Sequence, residues 1–287
     1  MEAAFSEMPL ALFTTFAPMG AGAFIALAVA FFTTKFDEAE LKKIDKMTLI
    51  AFAFVVVGFI ASLFHLTNPM NGFGIFSGLG TSPLSNEVVV GIVFVVVALV
   101  YCVLAVLGKL GEGARKGFAA VVAVLALVLC VFTGMAYMME TIASWNTILV
   151  PVQIVGFGFI GGAALASLIF SLSGAAEKLT AGTIKTALVV VAAVGVVAGV
   201  GGIAGMAGSV SGMSNAMFAG SDLVSAALPF IIVAAIALIV ACVLVVLVTR
   251  GKNATVMSVI AVVCAFAGIL CARFAFYAME LSVGLYI

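Results

Sequence analysis

Long apolar runs alternate with short polar clusters along the whole chain. The runs fall near residues 9–34, 47–67, 87–108, 117–139, 149–173, 184–207, 224–249 and 254–279. Crossing a hydrocarbon core about 30 Å thick takes roughly 20 residues of helix, and each of the eight runs reaches that length. Backbone groups in lipid have no water to bond, so a spanning segment must satisfy them within a helix or a closed barrel. The period-2 alternation of barrel strands is missing from these runs. The pattern predicts an all-α integral membrane protein with eight transmembrane helices.

The polar clusters then sort by sign. Eleven of the twelve Lys and Arg residues fall in four of the connecting loops: Lys35/Lys42/Lys43/Lys46, Lys109/Arg115/Lys116, Lys178/Lys185 and Arg250/Lys252. The loops between these carry no basic residue. Such alternation is the positive-inside pattern, and it predicts that both termini lie on the outer (extracytoplasmic) face of the cell (inner, cytoplasmic) membrane. The first run lacks the positively charged leader of a cleaved signal and is expected to be a retained helix. Composition agrees: 66% hydrophobic and 8% charged, with a mean hydropathy of +1.41, against about 25% charged in soluble domains. No basic patch suited to nucleic acid is present; lipid is the expected surrounding.

Within this frame the chain divides into two four-helix blocks, 1–139 and 140–287, joined by the short outer segment Glu140 to Ile148 and forming one integral membrane unit. The halves show no clear sequence repeat. Gly158/Gly162, Gly195/Gly199 and Gly201/Gly205 are small-xxx-small pairs, read as close helix contacts. The charged segment 35–46 reads as a solvated turn or short surface helix. The outer loop 68–86 is uncharged, rich in Gly, Pro and Ser, and still holds Phe73, Ile75 and Phe76. That character suggests a packed or substrate-lining segment.

Candidate chemistry is sparse. Cys102, Cys130, Cys242, Cys264 and Cys271 all lie in predicted spans without metal-ligand spacing, and read as small packing residues. A single histidine, His65, excludes bis-His haem ligation, so no haem or metal is expected in this protein. His65 falls near the outer end of span 2, Glu87 at the start of span 3, and Arg273 near the outer end of span 8, followed by Tyr277 and Glu280. These titratable groups converge on one depth, where ionisable side chains commonly mark a functional route. Local explanations compete: Glu87 as part of a helix start with Ser85 and Asn86 as caps, Arg273 snorkelling to the surface, His65 as an interfacial histidine. An imidazole and a carboxylate at a lipid-accessible site can bind both hydroxyls of a quinol and take up its protons. With no redox centre of its own, the protein would pass the electrons to a partner. A transporter or proton channel is the alternative; it would favour broken helices and charge near mid-depth, and no acidic or basic residue is predicted there.

The segment Gly-Phe-Ile-Ala-Ser-Leu-Phe-His-Leu-Thr-Asn-Pro-Met (58–70), followed by Leu-Ser-Asn-Glu (84–87), resembles the membrane anchor subunit of dimethyl sulfoxide reductase, in the molybdopterin oxidoreductase anchor family. Residues 7–14 and 273–284 look like the same family, as do the length, the eight-span layout and the pair Tyr137 and Trp145. The resemblance implies a three-subunit enzyme of anaerobic respiration. A molybdopterin catalytic subunit and an iron–sulfur subunit dock on the outer face, and the anchor oxidises menaquinol and feeds electrons to the nearest cluster. It assigns the quinol site to His65 and Glu87, to which Arg273 and Tyr277 are added here as further candidates. One departure stands out: Asn71 occupies a place where family members commonly carry a basic residue.

Overall fold

A computed structural model describes residues 5–65, 74, 76–251 and 253–283. Eight long helices form: α1 (Met8–Thr33), α2 (Glu38–Leu63), α3 (Pro83–Val106), α4 (Glu112–Met135), α5 (Leu149–Leu172), α6 (Gly182–Ser211), α7 (Gly220–Val248) and α8 (Ala254–Ala278). A short 3-10 turn, Ala176–Thr180, precedes α6. Among the described residues there is no strand, only two isolated bridges. All eight helices are long and apolar enough to span a bilayer, and the chain is a multi-pass, all-helical membrane protein.

Burial separates the helices into two classes. The most apolar windows of α1 and α5 are 78% and 83% buried inside the protein, against 28–39% for the other six. These two are also the least hydrophobic of the eight, as expected for helices that face protein rather than lipid. Each is the first helix of its half of the chain, and the two pack directly on each other. Their crossing is set by glycine: a Cβ on Gly22 would run into the Gly158 backbone, and one on Gly162 into the Gly22 backbone. Backbone contact of this kind replaces the hydrophobic driving force that lipid does not supply. Gly195 and Gly199 seat α6 against Phe157 and Ile160 of α5 in the same way. The third predicted pair differs. Gly205 meets the Leu149 side chain of α5 as expected, but Gly201 faces open space, and its neighbour Gly202 makes the closer approach, against Gln153.

The segment 35–46 is a second difference. Rather than a solvated turn, it is mostly the first turns of α2, which begins at Glu38 instead of near 47. Asp37 caps it: its side chain accepts from the Glu40 backbone N–H at 2.7 Å while the Glu40 carboxylate accepts from the Asp37 N–H at 2.9 Å. This reciprocal box fixes a helix start wherever it occurs, charged surroundings or not. The extra turns carry Asp45 inward, where it forms a buried ion pair with Arg115 of α4. Arg115 also lies 5.7 Å over the Phe31 ring.

The two ends of the bundle are unlike. At the basic end, Lys178 pairs with Glu40 at 3.6 Å and Lys116 with Glu112 at 2.7 Å. At the opposite end, loops without Lys or Arg are stitched by hydrogen bonds. Leu281 N–H donates to Ser144 Oγ at 2.8 Å, Val283 N–H to the Thr141 carbonyl at 3.0 Å, and Asn215 Nδ2 to the Ser282 carbonyl at 3.1 Å. All five cysteines are free thiols, each within a helix.

Candidate functional site

The terminal end of the bundle is where α1, α3, α4 and α8 bring polar side chains together. Arg273, five residues before the end of α8, is fully buried rather than snorkelling. Its Nε donates to Thr14 Oγ1 at 2.8 Å and its Nη2 to the Tyr277 hydroxyl at 3.0 Å. The guanidinium carbon stands 4.0 Å from the Phe276 ring centre, 4.7 Å from Tyr137 and 4.9 Å from Tyr277. Ring faces are electron-rich, so an aromatic box supports a desolvated cation. Thr14 in turn donates to the Leu10 carbonyl at 2.7 Å. Pro18, inside α1, has no N–H to give the Thr14 carbonyl, so the helix is locally opened at the turn where Arg273 docks.

The aromatic wall is continuous. The Tyr137 and Tyr277 hydroxyls lie 2.6 Å apart. Trp145 stacks on Phe276 at 4.9 Å with planes 17° apart, and meets Tyr137 edge-on at 5.7 Å. Two N–H groups of this cluster, Arg273 Nη1 and Trp145 Nε1, are buried without an acceptor among the described residues. Neither Tyr137 nor Trp145 stands out by charge or spacing; the sequence marks them only through the resemblance noted above, and their place around Arg273 shows what they do.

Glu87 joins this cluster from α3. The helix starts at Pro83 with Ser82 as its N-cap, the Ser82 hydroxyl accepting from Ser85 N–H at 3.4 Å. Asn86 Oδ1 instead accepts from the Gly80 N–H at 2.8 Å. Glu87 is therefore in the second turn, beyond any capping role, and its side chain is buried. It neighbours the Thr133 hydroxyl of α4 and lies within electrostatic range of Arg273 and Tyr137. Its Oε1 has no hydrogen-bond partner among the described residues. Arg273 has no carboxylate within 4.0 Å among them either.

His65 follows α2 and is more open, with 43% of its side chain exposed. Its Nδ1 lies 3.3 Å from Oε2 of Glu7, just before α1. Glu7 acts electrostatically on both Tyr277 and Glu280, which ties His65 to the Arg273 cluster. Partial desolvation by its neighbours, and then the Glu7 carboxylate, hold the Glu280 carboxyl above its ordinary range. The contacts thus join His65 to Glu7, and Glu87 to Thr133, Arg273 and Tyr137. Glu7 belongs to the segment 7–14 noted above, but nothing in its spacing singles it out. The proposed lining loop 68–86 lies in part outside the described residues: 66–73, with Asn71, and 75 are not among them. Among the described residues, no group of three or more His, Cys, Asp or Glu is placed to hold a metal ion.

Eight apolar helices with a buried cation in an aromatic box at one end define a polytopic membrane protein. The family described as DMSO reductase anchor subunit (DmsC) matches residues 1–279, and the protein belongs to that family. It is similar to a subunit of the anaerobic dimethyl sulfoxide reductase of Escherichia coli (strain K12), 31% identical over 175 residues that cover 61% of each sequence. It is also similar to YnfH, an anaerobic dimethyl sulfoxide reductase subunit of the same organism, 26% identical over 189 residues and 66% of each sequence. A subunit of the anaerobic dimethyl sulfoxide reductase of Haemophilus influenzae (strain ATCC 51907 / DSM 11121 / KW20 / Rd) is 28% identical over 149 residues, 52% of this sequence and 53% of that one. The matched stretches therefore span from about half to two thirds of these relatives.

Proposed function

We propose that this anchor subunit oxidises menaquinol at the outer face of the inner membrane and passes the electrons to an iron–sulfur partner, which serves a molybdopterin catalytic subunit of dimethyl sulfoxide reductase type. The observation that carries the reading is Glu87: a buried carboxyl with an unpartnered Oε1, within electrostatic range of Arg273 and Tyr137. Burying a carboxyl oxygen without a partner is costly, and a substrate hydroxyl would remove that cost.

Menaquinol yields menaquinone, two protons and two electrons. His65 and Glu87 each accept one proton from a ring hydroxyl, His65 from the exposed side and Glu87 from the buried side. Arg273 has an N–H in excess of its protein partners, suited to a quinone oxygen, and Tyr277 fixes the guanidinium. The aromatic wall gives the flat, apolar boundary that a lipid-soluble ring requires. The two electrons leave to a partner subunit, in keeping with relatives named as chains of a reductase; an iron–sulfur subunit is the proposed acceptor. A transporter or channel finds less support. Among the described residues every ion pair lies at one end of the bundle or the other, and none is at mid-depth.

The test is His65→Ala in the assembled complex. The subunits are expected to co-purify as in the parent, while turnover driven by a reduced naphthoquinol falls at least about a hundredfold, the usual size of a lost proton acceptor. Parent-level quinol turnover in that variant would remove His65 from the site.

A further inference from the structure

Glu7 is the one acidic side chain that the structure, among the described residues, sets directly against His65. Its Oε2 is 3.3 Å from Nδ1, with 28% of its side chain exposed against 43% for the histidine. A carboxylate at Nδ1 has two consequences for the far side of the ring. Oε2 is buried and makes no hydrogen bond among the described residues, so a small turn of the ring is needed to align Nδ1–H with it; once aligned, the carboxylate keeps the proton on Nδ1, leaves Nε2 as the bare acceptor and fixes the plane in which Nε2 points. It also offers a place for the Nδ1 proton once Nε2 has taken another.

Resting on the quinol-site reading above, we infer that Glu7 is the positioning residue for His65 and the first stop for the proton that His65 takes from the quinol. The O–H bond of one quinol hydroxyl breaks and its proton joins His65 Nε2. The Nδ1 proton then passes to the Glu7 carboxylate and from there to water, with the electrons leaving to the iron–sulfur partner. No proton is created or lost: one enters the ring at Nε2 and one leaves at Nδ1.

The surroundings fit an exit toward solvent. Glu280 and Tyr277 are the titratable groups that feel Glu7 electrostatically, and Tyr277 is hydrogen-bonded to the Arg273 guanidinium. A second carboxyl, Glu280, thus lies within electrostatic reach of Glu7, and it is exposed just past the end of the last helix, where a proton can next be received. Glu87, on α3, has Thr133 and Arg273 as its neighbours rather than Glu7. The two proton acceptors of the proposed site therefore have different nearest partners, and a change at Glu7 acts on His65 directly and on Glu87 only through Tyr277 and Arg273.

The experiment uses the membrane-bound complex and compares Glu7→Gln, Glu7→Asp and His65→Ala. For each, turnover with a reduced naphthoquinol is divided by turnover with a reduced viologen, which delivers electrons without a quinol site, so that any loss of assembly cancels. Glu7→Gln is expected to lower the quinol kcat about tenfold or more with KM changed less than about twofold, and to raise the solvent deuterium isotope effect as proton departure becomes limiting. Glu7→Asp is expected to restore most of the rate, which a side chain needed only for packing would not do. If His65→Ala abolishes the ratio while Glu7→Gln keeps the parent kcat and isotope effect, the role of Glu7 is overturned and the quinol site stands. If Glu7→Gln raises KM and leaves kcat alone, Glu7 shapes binding instead and the proton route is overturned. If His65→Ala keeps the parent ratio, the quinol-site reading itself fails.

Discussion

Asp45 and Arg115 are 70 positions apart and both buried, yet each sits in a charged stretch that reads as solvent-facing. The sequence shows clusters of charge; it does not show which member of a cluster turns inward, because that depends on the phase of a helix whose start is hidden among Lys and Glu. A buried pair is weak evidence for stability, but removing one partner strands the other. Asp45→Leu is therefore expected to cost about 3–5 kcal/mol, and adding Arg115→Met to recover most of it. Thermal unfolding of the detergent-solubilised protein measures both; equal losses in the single and double variants would mean that the pair does not act as a unit. Arg273 illustrates the same limit in the opposite sense. Its place near a helix end is compatible with snorkelling, and only the contacts with Thr14, Tyr277 and three rings reveal a captive cation.

At the level of the helix, hydropathy places all eight spans to within a few residues, apart from the start of α2. The exception has a local cause: Asp37 and Glu40 form a capping box whose spacing is visible in the sequence, but the charges around it outweigh the helical signal. Glycine spacing is legible only in part. Gly158/Gly162 and Gly195/Gly199 meet other backbones, whereas Gly201 meets nothing and Gly202 packs instead. Small-xxx-small patterns report a face that could pack, and the neighbouring helix decides whether it does. Replacing Gly22 with Leu is expected to abolish folded yield, because the α1–α5 crossing leaves no room for a side chain. Gly201→Leu, pointing into open space, is expected to change stability by no more than about 0.5 kcal/mol. Comparable yields of monodisperse protein from the two variants would contradict the crossing as the centre of the fold.

For the molecule as a whole, the two central helices and the division into unlike ends account for where chemistry can occur. The basic end is charged and paired, and the opposite end has no Lys or Arg in its loops but holds Glu7, His65, Glu87, Arg273 and Glu280. That convergence is readable from depth alone, since alternate helices run in opposite directions and residues near alternate loops must share a level. The partners are not readable: Glu7 with His65, and Thr133 with Glu87, are brought together by the lateral packing of consecutive helices, whose facing sides hydropathy does not specify. The central claim is that a quinol ring binds at this end. A photoreactive azidoquinone, crosslinked to the assembled complex in membranes and mapped by mass spectrometry, tests it most directly. Labelled peptides from 59–87 and 270–283, suppressed by excess menaquinone, are the predicted result; labelling confined to the basic end, around 34–46 and 107–116, would contradict it.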